Sequence, residues 1–213
     1  MKWLRGVIAA AVLVMVAAPA VGQNNTQFVR AQWSGGNWGP YTLRSLPGMV
    51  EFDAYCVDFN HHVWGGVRWQ AVYTPLTNVA GLLANTRYGP SWTGDGVSLQ
   101  MNYMRSAYLA SMFSGIAVGA RSTEGRNLHN AIWHLWGDDP SGANDPFYGN
   151  AMAANLNIDE FSDWYVVSDK NGARQEFITQ HVNVVPEPAT IILMGTGLVA
   201  VMGLTIVMRQ SVG

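Results

Sequence analysis

Met49-Val50-Glu51-Phe52-Asp53-Ala54-Tyr55-Cys56-Val57-Asp58 alternates with a period of two. Val50, Phe52, Ala54 and Cys56 share one face; Glu51 and Asp53 occupy the other, which Tyr55 and Val57 continue. That is the pattern of a β-strand, because successive side chains point to opposite faces of a sheet. Similar short runs stand on either side of it. Phe28 to Trp33 and Tyr41 to Leu46 flank a turn at Gly35, and Val67, Trp69, Ala71 and Tyr73 alternate in the same way. Near the end, Trp164 to Ser168 and Ala173 to Thr179 predict a hairpin around Asp169-Lys170-Asn171-Gly172.

The middle of the chain changes period. Asn78 to Arg87 predicts a short helix, with Asn78 as N-cap and Gly89 beyond its end. Val97, Met101, Met104, Tyr108 and Met112 recur at helical spacing over Val97 to Phe113, and Gly115 is a natural stop. Arg126 to Trp136 predicts a third helix, ended by Gly137 and Asp-Asp-Pro. Strands segregated from helices predict an α+β fold: a β-rich domain with a helical insertion.

Both ends are set apart by composition. Lys2 and Arg5 precede an apolar stretch from Gly6 to Ala18, too short to span a bilayer comfortably. Ala20-Val21-Gly22 supplies the small residues that signal peptidase reads, so residues 1–22 are expected to be a signal peptide cut before Gln23. Ala18-Pro19-Ala20 is a second candidate cut site. At the other end, Thr190 to Met208 carries no charge and has the length of a membrane span, and Arg209 follows at once. Positive charge favours the cytoplasmic side, which places the C-terminus inside and the body outside. Pro186 and Pro188 around Glu187 hold the backbone extended just before that helix, in the form a protease binds.

Between the ends, residues 23–184 suit one domain with a real core. Nine of the 12 Lys and Arg and 13 of the 14 Asp and Glu fall between Gln23 and Val185, leaving that stretch mildly acidic, near −4. There is no basic patch or stripe, which argues against a nucleic-acid partner. Cys56 is the single cysteine, so an exported chain has no internal disulfide and a lone thiol to account for.

The tail Pro186-Glu187-Pro188-Ala189-Thr190, a Gly-containing hydrophobic helix, a basic residue and the chain end together resemble the PEP-CTERM sorting signal. The same signal is also called an ice-binding protein C-terminal domain, a label that does not imply ice binding. The resemblance covers residues 185–213 and implies processing by exosortase, a membrane-embedded cysteine protease-transpeptidase of Gram-negative bacteria that make exopolysaccharide. It implies that Pro186, Glu187 and Pro188 form the cleavage motif, that the helix at 190–208 holds the chain in membrane lipid, and that Arg209 is the membrane stop. One basic residue stands where that family often has a small cluster.

Two segments of the body resemble a second family. Ala54-Tyr55-Cys56-Val57-Asp58 lies on a predicted strand, and about 70 residues later Leu128-His129-Asn130-Ala131-Ile132-Trp133 lies on a predicted helix. This pair is similar to the thioester domain of bacterial surface adhesins, which has a Tyr-Cys-aliphatic strand and a Thr-Gln-x-Ala-Ile-Trp helix. Ser106-Ala107-Tyr108-Leu109-Ala110 resembles the helix that precedes the second motif. The family implies an internal bond between a Cys thiol and a Gln side chain, formed with release of ammonia, which captures nucleophiles on a target. Here His129 takes the glutamine position. An imidazole has no acyl carbon, so Cys56 and His129 cannot form a thioester. Gln100, the glutamine on the preceding helix, has nothing to place it opposite Cys56. The expectation is a thioester-domain-like body that has kept the fold and lost the bond at Cys56 and His129.

A Cys–His pair is the nucleophile–base arrangement of cysteine hydrolases, and Asp58 could orient the ring. No oxyanion-hole signature accompanies it and the Cys is mid-strand, so a packed Cys beside a hydrogen-bonded His is favoured, with no catalytic residue. His61 and His62 are adjacent and point to opposite faces, His129 and His134 do not converge on a helix, and Asp138, Asp139 and Asp145 lack calcium-loop spacing. No metal and no cofactor are therefore expected. Among the tryptophans, Trp69, Trp133 and Trp136 fall on predicted core faces; Trp33, Trp38, Trp64 and Trp92 lie in loops and are the candidate glycan contacts. The sequence thus predicts an exported, surface-destined structural or adhesive protein, not an enzyme. Signal peptidase, exosortase, membrane lipid and exopolysaccharide are its expected partners. It is held in the membrane until processing sends it to the cell surface or matrix. The competing readings are a covalent adhesin with an internal Cys thioester and a hydrolase using Cys56 and His129.

Overall fold

Six antiparallel strands close on themselves in the order β1-β2-β3-β6-β5-β4. They are β1 (Thr26–Gln32), β2 (Tyr41–Leu46), β3 (Glu51–Cys56), β4 (Arg68–Pro75), β5 (Trp164–Asp169) and β6 (Phe177–Gln180). Between β4 and β5 the described residues form the helices α1 (Val79–Asn85), α2 (Gly96–Ser111), α3 (Thr123–Leu135) and α4 (Pro146–Ala153), followed by a 3₁₀ turn at Ile158–Phe161. The computed structural model describes residues 26–32, 38, 40–46, 49–118, 121–138 and 146–180. The expected signal peptide, the expected membrane helix at 190–208, the sorting residues Pro186, Glu187, Pro188 and Arg209, and Trp33, Asp139 and Asp145 lie outside the described residues. Among the described residues, no helix is long and apolar enough to cross a membrane.

The expected β-rich body with a helical insertion is present, and it closes into a barrel, which the strand pattern by itself did not indicate. Closure needs β6 to enter between β3 and β5, pairing Cys56 with Phe177 and Val166 with Ile178. That pairing joins the first third of the chain to its last strand, and no local pattern encodes it. Closure gives each described strand a neighbour on both sides, which leaves less open edge to recruit another chain.

Strand alternation then sorts the core into two parts. Val29, Ala31, Leu43, Ala54, Cys56, Trp69, Ala71, Tyr73, Val167 and Phe177 share one face and form the barrel interior, joined by Trp133 from α3. The opposite face of β3, β5 and β6 presents Val57, Trp164, Val166 and Ile178 to the helices, where they pack with Leu99, Tyr103, Leu109, Phe113, Leu128 and Ile132. This is why Tyr55 and Val57, on the face that also carries Glu51 and Asp53, are apolar: that end of β3 lies under the helical layer.

Local chemistry fixes the helix starts. Asn78 accepts from Gly81 N and caps α1 as expected, Asp95 accepts from Ser98 N at the start of α2, and Ser122 accepts from Gly125 N at the start of α3. Behind that cap α3 starts at Thr123, three residues before the expected Arg126. The predicted strand from Ala173 to Thr179 is a strand from Phe177 to Gln180, preceded by a bend at Asp169–Gly172, where Gly172 takes a φ of 67° that suits glycine. Helix α4 begins at Pro146, where fixed φ and the missing N–H cost nothing.

Candidate functional site

Cys56 ends β3 inside the barrel and is wholly buried. Its ladder partner is Phe177, and Val57 N donates to Glu176 O at 3.0 Å, which continues the register one step beyond the strand. Two residues before Phe177, with the same facing, stands Gln175. Its side chain enters the same buried space and is 5 % exposed. Gln175 Nε2 lies 2.6 Å from Cys56 Sγ and donates to Asp58 O at 3.2 Å. This contact is shorter than an ordinary N–H···O bond of about 2.9 Å, although sulfur is the larger atom. The Cys56 thiol itself donates to Asp58 O at 3.1 Å, and Trp133 Nε1 donates to Sγ at 3.4 Å. One carbonyl, that of Asp58, therefore receives both the thiol and the amide.

The glutamine beside Cys56 thus comes from the last hairpin and not from helix α3. His129 does lie on α3, one turn before Trp133, with which it stacks at 5.1 Å between ring centroids. Its Nδ1 meets Trp38 O at 2.8 Å, so Nδ1 carries the proton and Nε2 is left as a buried lone pair without a hydrogen-bond partner. Gln100 is turned elsewhere and donates to Leu76 O. The signal for Gln175 was present in the sequence as a polar residue in step with Phe177 and Thr179 on a predicted strand. What was missing was the knowledge that this strand lies beside β3.

The electrostatics oppose a hydrolase. Burial pushes the Cys56 thiol up to about 12, against hydrogen bonds from Trp133 and to Asp58 that pull it down. Burial pushes His129 down to about 4, with the Trp38 carbonyl opposing. Both groups are held neutral, the opposite of a thiolate–imidazolium pair. Asp58 does not orient His129: its carboxylate takes the backbone N–H of Asn60 and of His61, meets His61 Nδ1 at 3.0 Å, and lies 3.0 Å from Arg87 Nε.

Next to the pair lies a second buried carboxylate. Glu176 accepts from Tyr103 Oη at 2.6 Å, Ser168 Oγ at 2.5 Å and Arg87 N at 2.7 Å. Burial raises it to about 7, against the pull of those donors. It floors a polar cleft of about 410 Å³ between the end of α1 and the β5–β6 hairpin, with Arg87, Lys170 and Arg174 on its walls. Among the described residues, no three His, Cys, Asp or Glu side chains converge on a metal position.

The candidate glycan tryptophans separate. Trp64 is 70 % exposed. Trp38 packs against Trp133 at 6.1 Å, and Trp92 lies edge-on to Trp136 and donates to Ser98 Oγ, so both are partly buried.

The described body is thus an all-antiparallel barrel with a helical layer and one buried Cys–Gln contact, followed in the sequence by a sorting tail. Residues 184–209 match the family model of the PEP-CTERM protein-sorting motif. The signal implies an exported protein that exosortase processes. No curated protein matches the chain. Among solved structures it is similar to the N-terminal domain of the Streptococcus pyogenes pilus tip adhesin Cpa, at 15 % identity and a TM-score of 0.37, over 77 % of this chain and 97 % of that one.

Proposed function

We propose that this exported protein is a covalent surface adhesin whose body carries an internal thioester between Cys56 and Gln175. One observation carries the reading: the Gln175 side-chain amide nitrogen meets the Cys56 sulfur at 2.6 Å in a site where both residues are buried. Formation is balanced within the chain. Sγ attacks the Gln175 side-chain carbonyl carbon, the C–S bond forms, the C–N bond breaks, and the amide nitrogen leaves with the thiol proton as ammonia. Holding reacting groups at contact distance removes much of the entropic barrier to such a step. A nucleophile on a target, an amine or a hydroxyl, then attacks the same carbon, is acylated, and returns the proton to the Cys56 thiol. Each molecule turns over once, so the protein is a tether and not an enzyme.

The sorting tail supports the rest of the reading. The body is exported behind a signal peptide, is held in membrane lipid by the helix at 190–208, and is released or transferred at Pro186 to Pro188 by exosortase. Exopolysaccharide at the producer's surface is a fitting environment for it, and Trp64 offers an exposed ring for sugar contact.

The intact mass of the chain, with and without alkylation, tests the chemistry. The expected result is a mass low by one ammonia and a thiol that resists alkylation even after unfolding, until methylamine releases it. A full mass with a thiol that alkylates on unfolding would overturn the covalent reading and leave a structural cysteine.

A further inference from the structure

Arg87 contacts chain neighbours of both members of the Cys56–Gln175 pair, and we infer that it is the positioning residue that sets thiol and amide in register for thioester formation. The inference rests on the thioester reading above and concerns a residue that touches neither reacting atom.

Arg87 follows the end of α1, outside the strands that carry the pair. Toward the cysteine, its Nε lies 3.0 Å from Asp58 Oδ2, and its Nη2 meets His61 Nε2. The Nε contact is an ion pair whose N–H is not aimed along a hydrogen bond. Because the guanidinium only donates, His61 Nε2 accepts, and His61 Nδ1–H is left to donate to Asp58 Oδ1. Toward the glutamine, Arg87 Nη1 donates to Gly172 O at 3.0 Å and its backbone N–H donates to Glu176 Oε2 at 2.7 Å. Gly172 and Glu176 bracket Gln175 in the chain, and Asp58 stands two residues after Cys56.

The connection to the reaction runs through the Asp58 carbonyl. It takes the thiol at 3.1 Å and the amide at 3.2 Å, so its direction decides how the two face each other. That direction depends on the Asp58 side chain, which is 1 % exposed and gripped by Arg87, His61 and two backbone N–H groups. A planar guanidinium can hold Asp58, His61 and Gly172 at once from fixed directions; a lysine ammonium is a single flexible point and cannot.

The test follows ammonia loss after a pulse of synthesis of the full chain in a host without exosortase, read by intact mass after rapid denaturation. Arg87→Ala is expected to slow the loss by about 10²-fold, as small misplacements of reacting groups do, and Arg87→Lys by roughly tenfold. Stability is read separately in a Gln175→Ala background, where no thioester can form. There Arg87→Lys should leave the melting temperature close to that of Gln175→Ala alone, while its rate in the native background falls. If Arg87→Ala does not fold, Arg87→Lys alone decides. Ammonia loss at the wild-type rate in the variants would overturn the inference and leave the thioester reading intact. A rate loss matched by collapse of Arg87→Lys in the Gln175→Ala background would also overturn it, as general destabilisation. A wild-type chain that never loses ammonia removes the thioester reading and this inference with it.

Discussion

Gln175 Nε2 meets Cys56 Sγ at 2.6 Å across 119 residues of chain. The contact exists because β6 enters the barrel beside β3, and because the period of two carries the facing of Phe177 back to residue 175. Replacing either partner should therefore prevent the proposed thioester without disturbing the ladder. Gln175→Ala and Cys56→Ala chains are expected at full mass, with no adduct after methylamine. An amine adduct on Gln175→Ala would move the acyl group elsewhere in the chain.

Trp133 is the indole donor to the sulfur and also closes the barrel interior. Trp133→Phe keeps an aromatic ring against His129 and Phe59 but removes the N–H. The expected cost in urea unfolding is about 1 kcal/mol for the lost hydrogen bond, plus a smaller packing loss. Trp133→Ala should cost about 3–5 kcal/mol, as for other large buried aromatics. Equal costs for the two variants would show that packing around the ring contributes nothing.

Glu176 and His129 pull stability in opposite directions with pH. Glu176 rises from 4.5 to about 7 on folding, so its contribution is full below pH 4.5 and is lost as pH rises through 7. His129 falls from 6.5 to about 4, so its contribution is present above pH 6.5 and is lost as pH falls through 4. Each amounts to roughly 3 kcal/mol, and over the shared window they offset. Removing one exposes the other: Glu176→Gln should lose stability steadily as the buffer is taken from pH 6.5 toward pH 4.5, while wild type changes much less. Parallel melting curves for the two proteins would mean that Glu176 is not protonated in the fold.

Trp64 is 70 % exposed while Trp38 and Trp92 are packed, so the three should behave differently. Trp64→Ala is expected to leave the melting temperature within about 0.5 kcal/mol equivalents of wild type and to reduce retention on the producer's own polysaccharide. Unchanged retention would remove Trp64 from any sugar-binding surface. Trp38→Ala should instead destabilise, because it uncovers Trp133.

Much of this protein was legible one segment at a time. Alternation gave the strands around Cys56 and Trp69, helical spacing gave the helices and Asn78 the start of the first, though the second ends at Ser111, short of Gly115, and the order of Pro-Glu-Pro, apolar run and Arg209 identified the sorting tail. These signals are local: period, capping and charge are all read within a few turns or strands. The motif at His129 was legible too, but it gave no sign of Gln175, whose amide meets the Cys56 thiol, while His129 stacks on Trp133 and its Nδ1 meets the Trp38 carbonyl.

The sequence by itself determined that the chain carries a sorting signal, that its body mixes strands with inserted helices, and that one cysteine sits on a strand with an apolar face. Only the tertiary structure decided what that cysteine meets. The closure of the barrel, the approach of Gln175, and the bridge that Arg87 builds from Asp58 to Gly172 all join segments far apart in the chain. Such contacts are selected by the collective burial of two apolar faces and the satisfaction of buried polar groups, and no short stretch of residues records them.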